Sequence, residues 1–148
     1  MSVVIGLHLQ QLNKELHKMA IKGYQGSITV ASGAMGNAKA WSLDISQETV
    51  DTTDFGSAGW KESVATLNSW SGSVTAIFDA SGTAEGALQT GLTAGSVVAL
   101  ALQLGGGTGS FDLYSGSANI TSQSITNDVN GIVEVTFNFE GTGALTIA

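Results

Sequence analysis

His8 and His17 are the only imidazoles in this chain, and there is no cysteine. Nucleophilic chemistry is therefore narrowly bounded. A Ser-His-Asp triad would have to use one of these histidines, and no G-x-S-x-G elbow presents a serine to it. Nine residues apart on a helix, the two rings point to opposite faces and share no site. Without cysteine there is no thiolate metal site and no disulfide framework. Asp51 and Asp54 are close enough in sequence to share a cation with backbone oxygens, but the D-x-[DN]-x-[DN]-G loop is not met. The cluster Gly105-Gly106-Gly107-Thr108-Gly109 fits neither G-x-G-x-x-G nor the P-loop, and reads as a hairpin turn. The aromatic residues do not interleave with basic ones, so no stacking platform for single strands is visible. These residues predict no enzyme, no cofactor and no metal centre.

What must be positioned instead is surface. At 148 residues the chain fits one domain with a core able to fold unaided. Charged residues make up 11%, against a usual figure of about 25%, and proline is absent. Monomeric β-proteins commonly guard sheet edges with lysine or proline. This chain has five lysines and no proline, which points to edges hidden by self-assembly. Lys14, Lys18, Lys22 and Lys39 lie near the start, whereas residues 40–148 hold Lys61 against eleven acids. There is no arginine. Gripping DNA takes basic groups that displace phosphate counterions, so the composition excludes a conventional DNA binder. It suits a surface that DNA passes without sticking. No run reaches the roughly 18 apolar residues of a membrane span, and the start lacks a signal-peptide pattern. A protein made and used in the cytoplasm is expected.

Residues 38–79 are the most informative stretch. Two long strand-like runs flank a loop over 50–59 that lacks apolar alternation, and Trp41, Trp60 and Trp70 all fall inside. Trp41, Leu43 and Ile45 share one face, with Ser42 and Asp44 on the other. Residues 65–78 form a second run, with a bulge or bend expected at Ser71-Gly72. Residues 7–21 read as an amphipathic helix with Leu9, Leu12, Leu16 and Met19 at three- and four-residue steps. It is open whether it packs on its own domain or reaches a neighbour. A second helix is expected over 82–92, packing through Ala84, Ala87 and Leu88 and stopping at Gly91. Residues 97–104 are apolar on both faces, as in a central or interface strand. Residues 117–128 form a Ser/Thr/Asn-rich strand. Over 132–140, Val133, Val135, Phe137 and Phe139 face one way, and Glu134, Thr136, Asn138 and Glu140 the other. Strand runs with glycine turns predict a mainly β fold, a β-sandwich or partly rolled barrel with one flanking α-helix plus a short N-terminal helix.

The chain resembles the major tail (tail tube) proteins of long-tailed bacteriophages of the siphophage type. The segments that carry the resemblance are GYQGSITV, AKAWSLDIS, ETVDTTDFGSAGWKES, LNSWSGSVTAIFD, AEGALQT, VVALALQL and GIVEVTFNFEGTGALT, in that order from about Ile21 to the end. The resemblance implies an N-terminal extension or arm over 1–22 and a tail-tube β-sandwich domain over 23–148. It implies hexameric rings whose inner sheets join, stacked into the conduit for DNA during ejection. The loop over 49–62 would then make ring-to-ring contacts, with Asp54, Phe55 and Trp60 as contact residues, and the terminal arms would bridge subunits. Glu134, Thr136, Asn138 and Glu140, or else the polar face of 117–128, would line the lumen. The partners implied are further copies of the chain, tail terminator, tape measure and baseplate or initiator proteins, and double-stranded DNA in transit, with no membrane anchoring. The implied location is the virion tail, assembled in the host cytoplasm. Two alternatives stand beside this reading, the tube protein of a contractile injection system and a carbohydrate-binding β-sandwich module.

Overall fold

The computed structural model describes residues 5–6, 23–31, 33–105 and 112–148. The expected helix over 7–21 with His8 and His17, most of the expected glycine turn, and Phe111 lie outside the described residues. Strands β1 (Ser27–Val30), β2 (Gly33–Ala34), β3 (Ala38–Asp51) and β4 (Ser63–Ile77) are followed by helix α1 (Thr83–Ala94). Strands β5 (Val98–Gln103), β6 (Leu113–Thr126) and β7 (Glu134–Ile147) complete the chain. All seven strands join one antiparallel sheet in the order β2-β1-β5-β6-β7-β4-β3. The mainly β expectation with one flanking helix holds in its rolled form. A single sheet curls until β1 and β3, near its two ends, line the same groove.

Period-two alternation explains which face is core. Val135, Phe137 and Phe139 of β7 are buried, as are Val74 and Ala76 of β4. The register places Trp41 beside Val74 and Val74 beside Phe137, so one apolar row crosses three strands. β5 lies between β1 and β6 and buries Val98, Leu100 and Leu102. Helix α1 covers the β1, β2, β5 and β6 part of this face, burying Ala84 and Leu88 one turn apart. Its Glu85 is buried in the first turn, where a carboxylate meets the positive end of the helix dipole. Asn37 donates to Glu85 Oε1 at 3.3 Å and to the Ile77 carbonyl at 2.7 Å, tying the β2–β3 turn to the helix start.

Three local expectations are corrected. β4 runs unbroken through Ser71-Gly72, and its irregularity lies further out, where Gln47 pairs with Asn68 and Thr49 with Ala65. Gly72 is there for space: a Cβ would overlap the Ser42 carbonyl oxygen and lie 2.8 Å from the Phe139 ring. The helix does not stop at Gly91, which is buried within it, but continues to Ala94 and ends at Gly95, whose φ of 67° is left-handed. The loop after β3 also starts later than expected, since Val50 and Asp51 still belong to the strand.

Candidate functional site

Two surfaces stand out, and both are built by β3 and β4. β4 pairs with β7 only from Ser71 to Ile77, while it pairs with β3 along its whole length. The outer half of the hairpin therefore leaves the sheet as a two-stranded arm. Every residue from 44 to 69 is exposed except Ser57. A lone hairpin wet on both faces is marginal in water, so an arm of this length calls for a partner surface. Among the described residues its apolar side chains have none: Ile45, Val50, Phe55, Trp60, Val64 and Leu67 are all exposed, with Phe55 fully open and Trp60 at 79%. Isolated exposed apolar residues are ordinary, but six on one projection mark an interaction site.

The arm's tip is ordered by its own polar groups. Asp54 caps a single 3-10 turn, Phe55–Ser57, accepting from Gly56 N at 2.7 Å, while the Asp54 N–H donates to Ser57 Oγ at 3.1 Å. Ser57 Oγ donates to Glu62 Oε2 at 3.0 Å, and Glu62 N donates to Thr53 Oγ1 at 2.8 Å. Asp51 Oδ1 accepts from Thr53 N at 2.8 Å. Thr53, through its side chain first and its backbone second, holds the Asp51 carboxyl below the usual aspartate range. Asp51 and Asp54 are thus each turned to donors of the loop rather than to a shared point. Of the three expected contact residues, Asp54 shapes the turn, and Phe55 and Trp60 stand out from it.

The second surface is the face of the sheet opposite the core. It is paved with hydroxyls and amides in cross-strand rows. Ser42 pairs with Ser73, Ser73 with Asn138, and Asn138 with Ser122. Within that row the Ser42 and Ser73 hydroxyls are 3.0 Å apart, and Asn138 Nδ2 donates to Ser122 Oγ at 2.7 Å. The Thr75 and Thr136 hydroxyls are 3.1 Å apart in the next row. These hydroxyls and amides hydrogen-bond to one another across the strands. Glu134, Thr136, Asn138 and Glu140 all belong to it, and so do Ser122, Ser124 and Thr126 of the neighbouring strand. The two lumen candidates that the sequence offers as alternatives are one continuous face.

Charge on this face is uneven. Glu134 pairs with Lys39, which offsets it. Asp44 and Glu140 flank Ser71 in one row, and among the described residues neither forms an ion pair. Asp44 was missed as a site residue. Its signal was its place opposite Trp41 and Leu43, but only the register brings it level with Glu140.

The arm and the hydroxyl face define a structural β-subunit whose working parts are surfaces for other molecules. The chain belongs to the phage tail tube protein family, whose model matches residues 22–147. It is a structural component of a virion tail tube. The fold is similar to that of the tail of an empty gene transfer agent (GTA) particle, refined with C6 symmetry: TM-score 0.72, 24% identity, 87% of this chain and 99% of that one covered. It is also similar to the SPP1 tail tube, with TM-score 0.66, 14% identity and coverage of 87% and 80%. The sheath/tube terminator of an extracellular contractile injection system, PVC, shares the fold with TM-score 0.64, 16% identity and coverage of 87% and 96%. No curated protein sequence matches.

Proposed function

We propose that six copies of this chain close into a ring by joining sheet edges, and that rings stack through the arm. Asp54 orders the tip and Phe55 and Trp60 bury themselves on the next ring. The hydroxyl face, with Glu134, Thr136, Asn138 and Glu140, then lines the bore through which double-stranded DNA passes. The observation that carries the reading is the arm itself, exposed on both faces from 44 to 69 and armed with apolar side chains. Edge joining explains the missing proline and the scarcity of lysine, because a closed ring has no edges to guard. A bore paved with hydrogen-bonded hydroxyls and uncompensated acids offers phosphates no counterion-displacing grip. The role is structural rather than catalytic. The reading extends to terminator, tape measure and initiator partners at the tube ends and to assembly in the host cytoplasm. The C6 symmetry of the GTA tail and the tube-terminating role of the PVC protein support it by likeness of fold.

Negative-stain electron microscopy over a concentration series tests it directly. Hollow tubes or six-fold rings are expected. Discrete monomers at every concentration, even with an initiator complex supplied, would sink the ring proposal. A bore lined by this face further predicts that Glu134→Lys with Glu140→Lys assembles normally but impairs DNA passage. Undiminished infectivity of a particle carrying both changes removes them from the bore.

A further inference from the structure

The arm tip and the turn between β6 and β7 lie at opposite ends of the sheet. β4 runs away from the tip and ends at Ile77, level with the start of β7 at Glu134 and the end of β6 at Thr126. Phe78 N, donating to the Val133 carbonyl at 2.9 Å, ties β4 to the base of that turn. Residues 124–132 are all exposed. Three of them are apolar, Ile125 at 51%, Val129 at 96% and Ile132 at 65% exposure. The turn is held by polar groups: Asp128 Oδ1 accepts from Asn130 N, and Gly131 N donates to the Asp128 carbonyl, both at 3.1 Å. Asp, Asn and Gly are the residue types such a turn needs. Val129 adds nothing to it, and an apolar trio gathered at one exposed end marks a contact made with another molecule.

A stack that grows in one direction is held by a heterologous contact, in which one patch meets a different patch on the next copy. The two patches must then sit at opposite ends of the subunit. The arm tip supplies one, with Phe55 and Trp60 exposed. The β6–β7 turn meets the requirement at the other end. Charge agrees with this pairing. Lys61 adjoins Trp60, and the acids around it, Asp51, Asp54 and Glu62, each accept from a donor of the arm itself. Asp128 adjoins Val129 and is the one charged residue from 120 to 133. Each end thus presents an apolar contact with a single charge beside it, of opposite sign.

We infer that the β6–β7 turn receives the arm tip of the next copy, with Val129 and Ile132 packing on Phe55 and Trp60 and Asp128 facing Lys61. The inference rests on the proposal that rings stack through the arm. The chain contains no cysteine, so engineered thiols report cleanly. Full-length Lys61→Cys chains are mixed with Asn130→Cys chains, assembled with an initiator complex supplied, and oxidised. Gln89→Cys, at an exposed position of α1, stands in for Asn130→Cys as the competing acceptor. Mixed disulfide dimers are expected from Lys61→Cys with Asn130→Cys, only in polymerised material, and not with Gln89→Cys. Tubes lacking that crosslink, or crosslinked to Gln89→Cys alone, would overturn the inference and leave stacking through the arm in place. Failure of the wild-type chain to form tubes would remove the stacking proposal and this inference with it. A second variant needs no thiol. Val129→Asp with Ile132→Asp should keep the wild-type urea midpoint, because both side chains are exposed, and give rings without tubes. Normal tubes from it would equally overturn the inference.

Discussion

β3 and β4 are one hairpin living in two environments. From Ser71 inward, β4 is held on both sides, by β3 and β7, with a packed face beneath. From Ser69 outward the same two strands have only each other, and their apolar residues face solvent. Both halves mix apolar residues with polar ones, although the outer part of β3 carries a polar run, Ser46 to Thr49. What differs is who the neighbours are. The inner half is finished by the chain itself, and on the proposed reading the outer half is finished by another copy. Mutations should therefore split cleanly: inner-half changes register in folding stability, and outer-half changes in assembly.

The sharpest probe of the inner half is Gly72→Val. Its Cβ would meet backbone at Ser42 and the Phe139 ring, neither of which gives way cheaply. We expect a loss above about 4 kcal/mol, the range reserved for overpacking and backbone strain. A cooperative urea transition with the wild-type midpoint would show that the strands part easily there, and the split would fail. Trp70→Ala comes next. The indole is buried, meets Phe139 edge-on with ring centroids 6.2 Å apart, and donates to the Gly143 carbonyl at 3.1 Å. A cost of about 3–5 kcal/mol is expected, read from chemical denaturation of the monomer.

Moving outward, Asp54→Ala removes the cap of the tip turn, worth about 1 kcal/mol in such positions. Because the tip packs on nothing among the described residues, that loss should loosen the tip alone. Hydrogen exchange should speed up at Gly56 and Ser57 while the global unfolding transition stays put. Phe55→Ala and Trp60→Ala should move stability least, within about 0.5 kcal/mol, yet abolish polymers seen by electron microscopy. Normal tubes from both variants would take the arm out of the stacking contact.

The same split decides what the sequence could disclose. The alternation in β7, the shared face of Trp41, Leu43 and Ile45, the helix with Ala84 and Leu88, and the unpatterned loop were legible because each is a local rhythm. The resemblance was legible because it rests on several such pieces along the chain, within the stretch that the family model matches. What was hidden depends on register. The strand irregularity was expected at Gly72 because glycine often marks one, yet Gly72 answers to Ser42 and Phe139, residues far away in sequence. Lys39 and Glu134 pair across 95 residues. Asp44 reaches Glu140 only through Ser71. A helix end is local but ambiguous when two glycines compete, and Gly91 packs while Gly95 turns.

The finest test of the split uses two aspartates with matching chemistry on opposite sides of it. Asp51 sits on the arm and accepts from Thr53, and Asp79 sits just before α1 and accepts from Ser81 N at 2.9 Å and Ser81 Oγ at 2.7 Å. In each, the residue two positions on, by its side chain first and its backbone second, pulls the carboxyl below the ordinary aspartate value. A depressed native pKa means the contribution is complete above the unfolded value of about 4 and is lost as pH falls through the lower folded value. Asp51 is exposed and Asp79 only partly covered, so both effects are small. They should not appear in the same place. Asp79 anchors the start of a helix packed on the sheet, so Ser81→Ala should weaken global stability at neutral pH and flatten its decline below about pH 4. Asp51 is linked only to the order of the arm, so Thr53→Ala should leave the acid-unfolding curve of the monomer unchanged. If Thr53→Ala shifted that curve as much as Ser81→Ala does, the arm would be folding as part of the sheet, and its exposed apolar residues would no longer call for a partner.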